Sequence, residues 1–165
     1  MSNGELPETV GLFGLGLIGH AIAGRLIARG VKVTGFDPSA DCREHFERIG
    51  GQPVAADQVW NAEVVLSAVF STNQLSDLIN AAPTTEAGRL ISVSTCDPEL
   101  MADIAASAAG KGYTLIESPI SGTSADLANG NAILLVAGDA EVAGDLAPLF
   151  SALARAHFHV GAIGD

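Results

Sequence analysis

One stretch constrains the fold more than any other. Residues 10–37 read VGLFGLGLIGHAIAGRLIARGVKVTGFD, with glycines at 14, 16 and 19 between an apolar run and a helical stripe. A strand that turns straight into a helix without side chains at those three places does so for a reason. Gly14 permits the tight turn, Gly16 lets the backbone approach a ligand, and Gly19 lets the helix lie close on the strand. Leu17, Ala21, Gly24 and Ala28 predict the stripe of a helix over 17–29, with Gly30 as its stop. The free N–H groups of the first turn, around Leu17 and Ile18, then face an anion that the helix dipole favours. Asp37 ends the second apolar run, 18 residues after Gly19. A carboxylate there can accept from both hydroxyls of an adenosine ribose and repels a 2′-phosphate. The pattern therefore predicts a dinucleotide site made of Gly14, Leu15, Gly16, Leu17, Ile18, Gly19 and Asp37, taking NAD in preference to NADP. Arg43, six residues on, is the group able to neutralise a phosphate instead.

The rest of the chain repeats the alternation. Strand-like runs fall at 10–14, 31–36, 53–55, 64–70, 90–95, 113–117, 133–137 and 157–160. Helical segments fall at 17–29, 40–49, 57–61, 72–81, 98–109 and 140–153, with Asp97 as a cap and Pro98 in the first position of its helix. Runs such as VVLSAVF are apolar throughout, as strands buried on both faces are. The expected fold is α/β: a Rossmann-type doubly wound, mostly parallel sheet with helices on both faces. Residues 9–165 form one dinucleotide-binding domain after a loose segment, 1–8. The rhythm breaks at SPISGTSADLANGNAILLVAGD, where a short helix allows the next strand to run antiparallel.

Composition narrows the partners. The 165 residues are 48% hydrophobic and 16% charged, which suits one well-buried domain. A net charge of −11 argues against nucleic acid and anionic membrane. No apolar run reaches the ~18 residues of a membrane span. Cys42 and Cys96 form no metal or disulfide pattern, and the polar start MSNGELPE reads as no signal peptide, so a cytoplasmic setting is expected. His157 and His159 share one strand face, without a third metal ligand nearby. None of the four histidines is assigned to catalysis or to a metal.

Short-chain dehydrogenases are disfavoured: the only tyrosine, Tyr113, is followed four residues on by Glu117 rather than lysine. A methyltransferase is the rival of similar fold, although its glycine pattern is usually tighter than GLGLIG. With GLFGLGLIGHAIAGRLIARGVKVTGFD, the segments ISVSTCDPE, IESPISGTSADLANGNAILLVAGD and FHVGAIGD make residues 9–165 resemble the N-terminal domain of the β-hydroxyacid dehydrogenases. This is the group of 3-hydroxyisobutyrate dehydrogenase, related to 6-phosphogluconate dehydrogenase and the imine reductases. The resemblance implies an NAD-binding domain of an oxidoreductase that takes a hydride from a small 3-hydroxy acid.

The same resemblance implies roles for particular residues. Ser121 and Gly122, with Thr123 beside them, hold the substrate carboxylate; read alone, they serve equally as a turn after a strand. Thr95 sits near the nicotinamide ribose, or caps a helix beside Asp97. Val69 and Phe70 line the adenine or ribose side, with Val69 also suited to ordinary core. Three positions depart from the family: Glu117 where aspartate is usual, Thr123 where a second glycine is common, and Ile18 for a frequent methionine. The family's general base is a lysine on a helix beyond the first domain. Lys32 begins the second strand and Lys111 lies just before the strand at 113, both at the wrong end of a parallel sheet for a ligand. No catalytic residue is therefore assigned within the chain. The catalytic lysine and a helical C-terminal domain are expected beyond Asp165, and the chain is expected to bind NAD without efficient turnover. An uncovered apolar patch near the last strand goes with that expectation, as does a homo-oligomer in the full-length protein. The alternatives are a non-catalytic NAD-binding or sensor module, or an imine reductase or 6-phosphogluconate dehydrogenase relative.

Overall fold

A computed structural model describes residues 4–164. Strand β1 (Thr9–Phe13) leads into helix α1 (Leu17–Ile27), and β2 (Lys32–Phe36) into α2 (Ala40–Arg48). Next come β3 (Gln52–Pro53), a 3-10 turn over Ala56–Asn61, β4 (Val64–Ser67), α3 (Thr72–Ala81), β5 (Gly88–Ser92) and α4 (Pro98–Gly110). The last part holds β6 (Tyr113–Glu117), β7 (Ile120–Ser121), α5 (Ser124–Ala128), β8 (Ile133–Ala137), α6 (Ala140–Asp145), α7 (Ala147–Leu153) and β9 (Ala156–Gly161).

These strands form one sheet in the order β3-β2-β1-β4-β5-β6-β8-β7, with β9 paired to β8. The first six are parallel, in the order of a dinucleotide-binding fold. Strand β8 then runs antiparallel to β6 and β7, where the sequence rhythm breaks, and parallel to β9. Strand side chains alternate between two cores. Val10, Leu12, Val64 and Leu66 face one core with Ile22, Leu26 and Phe150. Phe13 and Val65 face the other with Leu75, Ile79 and Met101.

Local signals set the helix starts. Ser39 and Ser71 accept from the first-turn N–H groups of α2 and α3, and Asp97 accepts from Glu99 at the start of α4. Helix α2 buries a single residue, Phe46, which lies fully inside against Gly35 and Gly51. Phe46→Ala is therefore expected to lower unfolding stability by ~3–5 kcal/mol, read as a shift in the urea midpoint.

Several expectations need correction. The buried stripe of α1 is Gly19, Ala21, Ile22, Ala23 and Leu26, so Leu17, Gly24 and Ala28 do not belong to it. The helix expected over 140–153 is two, because Pro148 lacks the N–H that would continue the ladder. The strands expected over 64–70 and 90–95 end at Ser67 and Ser92, and the strand expected at 53–55 is the pair Gln52–Pro53. Of the segment expected to be loose, Leu6 packs on the core and the Glu8 carbonyl accepts from Lys32 N–H at 3.0 Å. Residues 1–3 of it lie outside the described residues. So does Asp165, the last residue of the domain expected over 9–165, beyond which the catalytic lysine is expected. The described part of that domain ends at Gly164. On the last strand Phe158 and Val160 are exposed, and so is Leu135 on its neighbour β8.

Candidate dinucleotide-binding site

The parallel strands deliver their carboxyl ends to one cleft of about 1000 Å³. Its floor is the turn between β1 and α1. Gly14 has φ +85°, and a Cβ there would run into the Ala68 carbonyl oxygen. A Cβ on Gly19 would strike the Gly14 carbonyl oxygen, so that glycine sets how closely α1 approaches β1. Gly16 differs from both. A Cβ on it meets nothing within 4 Å, because that side opens into the cleft. Gly16 is also the N-cap of α1, and no side chain bonds the first turn. The N–H groups of Leu17 and Ile18 thus lack intrahelical partners by position and stand at the cleft wall. Open space over uncapped amides at a helix start suits a pyrophosphate.

Asp37 is held from two sides. Its Oδ2 accepts from Leu15 N–H and its Oδ1 from Ser39 N–H, both at 2.8 Å. Each oxygen keeps capacity to accept a further bond. Leu15 thus works behind the cleft: its N–H fixes Asp37 and its side chain is buried beside Gly35. One nitrogen of Arg43 donates to the carbonyls of Asp37 (2.6 Å) and Pro38 (3.0 Å), which keeps the guanidinium at this edge.

The opposite wall comes from the loops after β4 and β5. Ala68 and Val93 each carry the parallel ladder one bond further. Past them the chain leaves the sheet, which places Val69, Phe70, Ser94 and Thr95 on the cleft. The Ser94 hydroxyl donates to the Val69 carbonyl and ties the two loops together. Phe70 N–H donates to Gln74 Oε1 at 2.8 Å, yet its ring is 95% exposed at the mouth. Gln74, Asp77 and Leu78 add a face of α3 that the sequence reading missed. Their i, i+3, i+4 spacing after a strand end was the available signal. Thr95 lines the cleft, while Asp97 alone caps α4.

Gly122 reaches the far end of the cleft. Ser121 is exposed beside it at the end of β7. Thr123 is engaged elsewhere: its N–H and Oγ1 both donate to Asp126 Oδ2, at 2.8 and 2.7 Å. Glu117 accepts from Gly164 N–H at 2.7 Å and turns its carboxylate to the segment after β9. Burial pushes the Cys96 thiol above its usual value. Lys111 donates to the carbonyls of Asn80 and Ala82, and Lys32 begins β2, so both stand at the far end of the sheet. His45 bonds the Asp41 carbonyl, His159 the Gly138 carbonyl, and the His157 ring lies on Phe150.

A parallel sheet in this order, a glycine turn open to the cleft and a carboxylate at the end of β2 define a dinucleotide-binding domain of the Rossmann class. The chain belongs to the family of the NAD binding domain of 6-phosphogluconate dehydrogenase, whose family model matches residues 9–161. It is 30% identical to glyoxylate/succinic semialdehyde reductase 1 of Arabidopsis thaliana over 94% of this chain and 56% of the reductase. It is 27% identical to the cytokine-like nuclear factor N-PAC of Xenopus tropicalis over 99% of this chain and 32% of that protein. A 3-hydroxyisobutyrate dehydrogenase of Mycobacterium tuberculosis, solved with L-serine, shares the fold with a TM-score of 0.89. There the identity is 24%, over 96% of this chain and 56% of that one. The chain thus spans between 32% and 56% of the length of these relatives.

Proposed function

We propose that this chain is the coenzyme half of an oxidoreductase that takes a hydride from a small 3-hydroxy acid or a close derivative, with NAD preferred to NADP. The observation that carries the reading is the uncapped start of α1 beneath the open side of Gly16. Gly16, Leu17 and Ile18 would hold the pyrophosphate, Asp37 the adenosine ribose, and Thr95 the nicotinamide ribose. Phe70 and Val69 would flank the rings, and Ser121 with Gly122 would hold the end of the substrate.

Bound NAD supplies the hydride acceptor. The chain's own part is to fix the coenzyme against the loops after β4, β5 and β7. The hydroxyl proton needs an acceptor, worth ~10²–10⁴ in rate. Among the described residues neither lysine reaches the cleft, and a lysine beyond Asp165 would supply that base. The residues 1–165 alone are expected to bind NAD and turn over little.

Calorimetric titration with NAD, NADP and S-adenosylmethionine tests the proposal. Saturable binding of NAD, tighter than NADP, is the expected result; binding of S-adenosylmethionine alone ends the reading. Phe70→Ala is expected to weaken NAD about five- to tenfold through lost ring contact. Its side chain is nearly all in solvent, so the unfolding midpoint should not move.

A further inference from the structure

The loop after β7 holds an anion of its own. Asp126 Oδ2 takes both the N–H and the hydroxyl of Thr123, and Asp126 N–H in turn donates to Thr123 Oγ1 at 3.1 Å. The same oxygen lies against Gly122, 3.4 Å from where a Cβ would stand on that residue. Thr123 keeps the carboxyl of Asp126 below its ordinary value, so the group is ionised at neutral pH. Among the described residues Arg155 is the one cation whose charge reaches it, and it makes no ion pair with it. The loop Ser121-Gly122-Thr123 offers few donors and no cation. Its Thr123 donors already carry a carboxylate.

A ligand carboxylate arriving at Gly122 must therefore displace Asp126 or sit beside it. Two like charges about 4 Å apart in water disfavour binding by about fivefold, and more where water is partly excluded. An uncharged amide or ester meets no such opposition and can use Ser121 Oγ and Gly122 N–H. We propose that Asp126 is a specificity-determining residue of this loop: an internal carboxylate that holds the loop's donors and favours the uncharged derivative of a 3-hydroxy acid over the free acid. This rests on the reading that the loop receives the substrate's end group, and it refines which end group fits.

The test compares 3-hydroxypropanoate with 3-hydroxypropanamide, titrated into the ¹⁵N-labelled chain with and without NAD. Binding is followed at the Gly122 and Thr123 amides. The unmodified chain is expected to bind the amide at least about fivefold tighter than the acid. Asp126→Ala should cut that ratio about fivefold, and Asp126→Asn, which can keep the cap without the charge, should cut it too. A merely structural role would weaken both probes together and leave the ratio where it was. An acid bound as tightly as the amide by the unmodified chain overturns the proposal. So does a ratio unmoved in both variants, or a failure of either probe to shift these two resonances. The coenzyme reading is read separately, at the Gly16 and Leu17 amides: if NAD leaves those still, that reading fails whatever the loop does.

Discussion

Gly16→Asp is expected to abolish measurable NAD binding, at least a hundredfold loss, while the protein stays as stable as before or gains slightly. Gly16 has φ −66° and ψ −163°, extended backbone that any residue adopts, and a Cβ there meets nothing. The substitution therefore introduces no strain. It also supplies what α1 lacks, a side chain able to accept from the first-turn N–H groups. Replacing an N-cap glycine by aspartate is worth a few tenths of a kcal/mol, with a further contribution from the helix dipole. The gain uses the amides that the pyrophosphate needs and sets a negative charge in its place. Loss of two charge-assisted hydrogen bonds, at ~1.5–3 kcal/mol each, is enough for the hundredfold effect. Gly14→Ala and Gly19→Ala fail differently, because their Cβ atoms collide with backbone carbonyls and unfold the turn itself. Calorimetry and thermal unfolding on the same Gly16→Asp sample separate the cases. NAD bound undiminished would mean that the coenzyme does not lie over this turn.

Features encoded within a few residues were legible in the sequence. The turn of Gly14, Gly16 and Gly19 could be read because strand, turn and helix follow one another directly: Gly14 turns at positive φ, Gly16 starts the helix and Gly19 meets the Gly14 carbonyl. The caps at Asp97 and Pro98 are local in the same way. What escaped depends on contacts distant in the chain. Val69, Phe70 and Thr95 look like strand because their residue types suit one. The strands end sooner because Ala68 and Val93 meet the last carbonyls that their neighbours β1 and β4 can offer. Leu15 looks like a member of the phosphate cradle until Asp37, 22 residues away, takes its N–H. Thr123 and Asp126 have capping-box spacing, yet the consequence for a ligand appears only where Gly122 is seen to open on the cleft. The sequence pattern thus located the cleft, while the hydrogen bonds of individual residues decide which of them face a ligand.

Asp37→Ala carries the second large effect, and it should appear in two measurements at once. Through its two oxygens Asp37 holds Leu15 N–H in the floor of the cleft and Ser39 N–H at the start of α2. Truncation leaves a part-buried backbone donor without its partner, so a stability loss of ~1–3 kcal/mol is expected in urea. The same change removes the acceptor for the adenosine ribose, and NAD should weaken by ten- to a hundredfold, as the loss of one or two hydrogen bonds to a charged group implies. NADP should lose much less or improve, because the repulsion of its 2′-phosphate is gone. Arg43 stays at that edge, anchored by the carbonyls of residues 37 and 38, which alanine retains. The NAD-to-NADP affinity ratio is the informative quantity, since general loosening of the turn would weaken both coenzymes alike. A drop in that ratio of tenfold or more is expected. Adding Arg43→Ala to Asp37→Ala should then remove whatever NADP has gained, because the guanidinium is bonded to the carbonyls of this turn. An unmodified chain that already prefers NADP would mean that Arg43, and not Asp37, reads the ribose.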